Sequence, residues 1–272
     1  MSALAILLIA VGLADLVAAR GRAHEHTSRM FGAVVGLGAI ALVAALAGLS
    51  GWGDLALLAI AGLTTAAWVV LAGRADDTDR RQGVALGALG AGAGLIVLCS
   101  GWSSPAGGVL ADWLEWSGIN RLESMDPTRV LLLAGLLLTQ LSTGNVVVRL
   151  VLAHTGALNP LGGPQASDRL RGGRLLGPME RVFILGLGLA GQVTAASIVI
   201  AAKGLIRWPE LQKASREREK RDADAARADA ARAGAPSRRL VASIDQVTEY
   251  FLIGSFVSWL VALAALAAAQ LV

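Results

Sequence analysis

Long apolar blocks alternate along the chain with short polar loops. The blocks lie at about 3–19, 30–49, 55–72, 83–100, 129–153, 181–202 and 247–271, and the loops between them carry Arg, Asp, Gly and Trp. Each block approaches or exceeds the roughly 17 residues a helix needs to cross the hydrocarbon core of a bilayer. The apolar residues run continuously instead of alternating with polar ones, which excludes a β-barrel. The pattern predicts an all-α, polytopic helical membrane protein with six or seven membrane segments. The count depends on 181–202, an uncharged run after Glu180-Arg181 that ends before Lys203. Gly186, Gly188, Gly191 and Gln192 at its centre favour a re-entrant hairpin over a full crossing, because each glycine weakens a helix by about 1 kcal/mol.

Two other stretches depart from the block pattern. Residues 101–128 combine Trp102, Trp113 and Trp116 with Asp112, Glu115, Glu123 and Asp126, and Val109, Leu110, Trp113 and Leu114 recur at helical spacing. This predicts a short helix in the outer interface of the membrane. Segment 211–232 has helix-forming composition but charge on every face, so it does not dock through an apolar stripe. The expected organisation is a membrane bundle over 1–206, a charged arm over 207–243, and a last membrane helix over 244–272 that a Ser243/Gln246 capping box begins.

Composition agrees with this reading. The chain is 55% hydrophobic and 16% charged, against about 25% charged in a soluble domain. A pI near 10 points to loop topology instead of nucleic acid, because the Arg residues sit at block ends as the positive-inside rule requires. With 181–202 re-entrant, 22 of the 24 Lys and Arg fall on one side. That puts loops 20–29, 73–82 and 154–177 and the arm in the cytoplasm, and the N-terminus and 101–128 outside. Cys99 is the one cysteine, so no intramolecular disulfide forms.

The residues GRLLGPMERVFILGLGLAGQ, IAAKGLIRWPEL and TEYFLIGSFVSWLVAL, within about 140–262, resemble the C-terminal signature of a family of uncharacterised bacterial integral membrane proteins. Asn145, Arg149 and Leu152 resemble a preceding element of that signature. The first-helix His and Gly-Asp pattern of the family is not evident here. The resemblance implies a multi-pass protein of the bacterial plasma (inner) membrane and supplies no activity.

Polar residues at membrane depth are the candidate site. Ionisable groups there are costly and mark function or interhelical pairing. Asn145, Arg149, Glu180, Arg181, Gln192, Lys203 and Glu249 form the candidate binding cluster, with Arg149 expected to pair with Glu180 or Glu249. The bland alternatives are headgroup anchoring for Arg149, Arg181, Lys203 and Arg207. For Glu180 the alternative is a helix cap, with Gly177 at Ncap and Pro178 at N1. Asp15 is the one ionisable residue of the first block, near its basic end.

Other motifs carry less. GLGLAG at 186–191 has the spelling of a dinucleotide fingerprint but lacks the strand before it. His24-Glu25-His26 with His154 is too sparse for a metal centre. Asp76, Asp77 and Asp79 stand among Arg74, Arg80 and Arg81 as a charge-balanced loop. Gly83/Gly87 and Gly90/Gly94 are small-xxx-small pairs suited to close helix approach or self-association. No nucleophile–base set, phosphate loop, metal or cofactor is expected. The reading is a non-enzymatic membrane protein that binds or conducts a small anion or lipid headgroup. The alternatives are a scaffold whose arm recruits a soluble partner, and a lipid-modifying enzyme using Asp76, Asp77 and Asp79.

Overall fold

The first apolar block becomes the centre of the bundle. A computed structural model of the chain describes residues 1–19, 25–78, 81–119, 123–156, 173–202, 205 and 243–271; no strand occurs among them. In chain order the helices are α1 (Ser2–Ala18), α2 (Glu25–Leu46), α3 (Trp52–Thr78), α4 (Gln82–Leu98), α5 (Gly108–Trp116), α6 (Pro127–Leu141), α7 (Thr143–His154), α8 (Gly173–Leu189), α9 (Val193–Ala202) and α10 (Ser243–Ala269), with a 3-10 turn at Ser100–Trp102. α1 is apolar all round and buried along most of its length, as expected of a helix enclosed by others. It packs chiefly on α2 and α6, then on α3.

Small residues set these contacts. A Cβ on Gly32 or Gly36 would stand 2.7 or 2.9 Å from the carbonyl oxygens of Ala14 or Ala10, and one on Gly135 would stand 2.9 Å from that of Ala5. The backbones of α2 and α6 therefore lie directly against α1, where dispersion is strongest. Among the described residues, the expected pairs Gly83/Gly87 and Gly90/Gly94 do not serve this purpose. A Cβ at Gly87, Gly90 or Gly94 would meet nothing within 4 Å, whereas Gly92 lies against Thr64.

Successive helices α1 to α4 alternate in direction. At one end Arg29 donates to the Gly73 carbonyl and Arg149 to Asp76. At the other, Ser2 Oγ donates to the Ser104 carbonyl, Gly107 N–H to Ala47, and Ser104 N–H to Asp54. Trp52, Trp102 and Trp116 are exposed at this second end. The short helix expected within 101–128 forms as α5.

Two expected segments are broken. Block 129–153 is not one helix: α6 and α7 meet at Ser142 with a 46° bend. Here Thr139, Ser142 and Thr143 offer hydroxyls that compete with the helix ladder, and Gly144 follows. The Ser142 hydroxyl bonds the carbonyls of Leu138 and Gly12, 2.8 and 2.7 Å away. Block 181–202 is interrupted at Ala190–Gln192. Gly191, at φ +72°, closes α8 with Gln192 N–H on the Leu187 carbonyl and Gly191 N–H on that of Gly188. This left-handed C-terminal motif favours glycine.

α10 runs parallel to α8. Ser258 meets Arg181 and, further along both helices, Leu266 meets Gly188. Against α7 it is antiparallel, because Gly254 lies beside Leu152 near the end that holds Arg149.

Among the described residues three helices are long and apolar enough to cross a membrane: Thr27–Leu46, Trp52–Asp76 and Leu252–Ala269. The bent pair α6–α7 is a fourth if counted as one span, and α1, α4 and α9 are shorter apolar helices. Of the six or seven segments expected from the sequence, three or four are met by length and composition among the described residues. Outward-facing Met30, Val34, Leu42, Leu63, Phe256 and Leu260 form apolar faces larger than water tolerates on a monomer, and a bilayer would cover them.

Candidate functional site

The break between α6 and α7 leaves carbonyls without helical partners at a buried position, and an arginine fills the gap. Arg181, 1% exposed, donates from Nε and Nη2 to the Gln140 carbonyl at 3.1 and 2.8 Å. Nη2 also donates to Asn145 Oδ1 at 2.7 Å and Nη1 to Ser258 Oγ at 3.2 Å. Four of the five guanidinium N–H groups are thereby engaged. The positive charge lies at the C-terminal, partially negative end of α6. Gly144 makes this approach feasible, since a Cβ there would sit 2.7 Å from Arg181 Nε.

Glu180 is 6% exposed, and its Oε1 accepts from Trp259 Nε1 at 3.0 Å. It is not a cap: α8 begins at Gly173, which leaves Pro178 inside the helix and Glu180 in its second turn. Arg181, Glu180 and Asn145 thus come together, joined by Gln140, Ser258 and Trp259.

Arg149 belongs elsewhere. Its Nη2 lies 2.6 Å from Asp76 Oδ2, with side chains 53% and 22% exposed, and Arg29 approaches the same carboxylate at 3.9 Å. The expected pairing with Glu180 is replaced by one with Asp76, because α7 turns Arg149 toward α3 while Asn145 meets α8. Asp76 belongs to the last turns of α3 and not to a solvated loop. Gln192 is exposed in the turn between α8 and α9, apart from both groups. Lys203 and the side chain of Glu249 lie outside the described residues.

A third group lies close by. Both Asp15 carboxylate oxygens accept from the fully buried Trp68 Nε1, each at 3.1 Å. Two buried atoms have no hydrogen-bond partner among the described residues, Gln140 Oε1 and Thr143 Oγ1. Sequence reasoning placed Asp15 at an interface and Asp76 in a charge-balanced loop, and missed Trp68, Gln140, Ser258 and Trp259. The lone charge in an apolar block was the one available signal for Asp15; the others needed knowledge of which helices meet.

GLGLAG ends α8 and is preceded by helix, so its geometry does not suit a pyrophosphate. Among the described residues no three His, Cys, Asp or Glu converge to hold a metal, and His24 and Asp79 lie outside them. Compared with family models, curated proteins and solved structures, the chain matches none.

Proposed function

We propose that this is a multi-pass plasma-membrane protein without catalytic chemistry, and that it binds an anionic phosphate-bearing group at its Arg149 edge. The observation that carries this reading is the pairing of two guanidinium groups, Arg149 and Arg29, with the Asp76 carboxylate, with half of the Arg149 side chain open. A planar fork at a membrane boundary suits bidentate recognition of phosphate. Arg181 is assigned a different task, since its donors are committed to the break between α6 and α7.

The same reading takes α8–α9 as a re-entrant hairpin. Two parallel helices that both point away from the Arg149 end require the chain between them to return to that end. The glycine stop at Gly191 supplies a place for the reversal. Residues 206–242, which lie outside the described residues, then join the Arg-rich side. The chain would then cross the membrane six times, with α8–α9 a seventh segment that enters without crossing.

The engagement of Arg181 by the protein's own groups favours a second reading, a scaffold whose charged arm at 207–243 recruits a soluble partner. Thermal unfolding of the detergent-solubilised protein separates the two. Phosphatidylglycerol, but not phosphatidylcholine, should raise the midpoint, and Arg149→Gln should abolish the rise. Inorganic phosphate giving the same rise would identify a small-anion site. No rise with either, or a rise retained by Arg149→Gln, would leave the scaffold reading in its place.

A further inference from the structure

α5 turns one apolar face inward and leaves a second uncovered. Leu110 and Leu114, four residues apart, share a face of the helix. Leu110 packs on the core and Leu114 is 2% exposed, where α5 meets α2 and α6. Val109, Trp113 and Trp116, spaced by four and three residues, form the adjoining face and remain 59%, 50% and 83% exposed. Asp112 and Glu115, three apart, lie on a further face that is also exposed. The sequence spacing merges Val109, Leu110, Trp113 and Leu114 into one apolar face, whereas the packing divides them.

Two observations say what covers the second apolar face. The first is where α5 is rooted. Gly107 N–H donates to the Ala47 carbonyl at 2.9 Å, and a Cβ on Gly108 would stand 3.2 Å from the Leu46 carbonyl oxygen. Leu42 and Leu46 point outward from α2 at that end, so an apolar surface suited to lipid runs up to the start of α5. The second is the distribution of indoles. The Trp102 backbone packs on Gly53 of α3, so exposed Trp52 and Trp102 stand beside α3 and α4, while Trp113 and Trp116 stand beside α2 and α6. A protein partner needs one contiguous patch. Indoles spread around the helix ends match the aromatic belt at a membrane–water boundary, where the ring sits against hydrocarbon and its N–H stays wet.

We infer that α5 is a lipid-binding interfacial helix at the bundle end opposite Arg149. Val109, Trp113 and Trp116 enter the boundary between headgroups and acyl chains, and Asp112 and Glu115 face water. An apolar sector beside an acidic one is the arrangement that holds a helix in the plane of a membrane surface. The inference rests on the membrane reading of the bundle and not on phosphate binding at Arg149.

Site-directed spin labelling tests it residue by residue. In a Cys99→Ala background, the full-length protein carries one nitroxide at a time through Val109→Cys, Trp113→Cys, Trp116→Cys, Asp112→Cys or Glu115→Cys. Leu42→Cys serves as the reference for the bundle. The liposomes contain phosphatidylethanolamine and phosphatidylglycerol, and collisions are read with oxygen, which concentrates in hydrocarbon, and with a neutral nickel chelate, which stays in water. Oxygen should dominate at positions 109, 113 and 116 and nickel at 112 and 115, so the ratio inverts between neighbouring residues. Without any label, Trp113→Phe combined with Trp116→Phe should lower the quenching of indole fluorescence by brominated phosphatidylcholine; unchanged quenching would count against the helix lying in lipid. Nickel dominating at 109, 113 and 116, with oxygen dominating at 42, would overturn the inference and leave the membrane reading intact. Nickel dominating at 42 as well would overturn both. Neither reagent reaching 109, 113 and 116 would reveal a protein cover, such as a second copy of the chain, and oxygen dominating at 112 and 115 would sink α5 below the interface; either result overturns it.

Discussion

Arg149 Nη2 donates to Asp76 Oδ2 at 2.6 Å, tying α7 to the last turns of α3 across 73 residues of sequence. Both side chains are partly open, so the pair is screened and worth up to about 1 kcal/mol. Arg149→Gln and Asp76→Asn should be non-additive by about that amount in a double-mutant cycle measured by unfolding in detergent. Raising the salt should shrink the coupling. The same cycle run between Arg149 and Glu180 should be additive. Coupling to Glu180 that exceeds coupling to Asp76 would contradict this geometry.

Arg181 should be far less replaceable. Removing it leaves the Gln140 carbonyl, Asn145 and Ser258 without their donor, and bonds to a charged group contribute about 1.5–3 kcal/mol each when buried. Arg181→Ala should therefore cost about 3 kcal/mol or more, and Arg181→Lys nearly as much, because an ammonium cannot reproduce the fork. Gly144→Ala displaces the guanidinium and should copy much of the loss. An Arg181→Lys protein as stable as the parent would refute the clamp.

The parallel course of α8 and α10 makes a topological prediction. In a Cys99→Ala background in intact cells, cysteines at Ser28 and Ala225 should both resist an impermeant thiol reagent, while one at Ser117 should react. Ready reaction at Ala225 with Ser28 still protected would mean that 181–202 crosses the bilayer. Reaction at Ser28 and not at Ser117 would invert the whole orientation.

Close packing on α1 can be probed at Gly36. Its missing Cβ is bounded by the Ala10 carbonyl oxygen at 2.9 Å, Thr65 Cγ2 at 3.1 Å and Ala14 Cβ at 3.2 Å. Gly36→Val should force the two helices apart at a cost of about 1–3 kcal/mol. Gly87→Val, whose added carbon meets nothing within 4 Å among the described residues, should leave the unfolding midpoint of the monomer almost unchanged. A comparable loss at both positions would mean that α4 is covered by another copy of the chain.

The all-helical class and its long apolar helices were legible from the sequence because the constraint that makes them is local. Backbone groups in hydrocarbon must be satisfied within their own segment, so a long uncharged run can be little other than a helix. The glycine-rich centre of 181–202 marked a bend for the same local reason, and Gly191 carries the positive φ that ends α8. What the sequence could not supply was partnership. Asn145 and Arg149 are four residues apart on one helix, yet Asn145 meets Arg181 and Arg149 meets Asp76, since different neighbours flank successive turns of α7. Thr139 to Gly144 contains no proline, and the helix breaks there because Arg181, 41 residues from Gln140, is present to receive the freed carbonyl. Asp15 read as a boundary charge until Trp68 and Thr143, from two other helices, were placed against it. Hydropathy acts along the chain and can be read from it, whereas the directional bonds of the polar groups exist only once distant helices have packed.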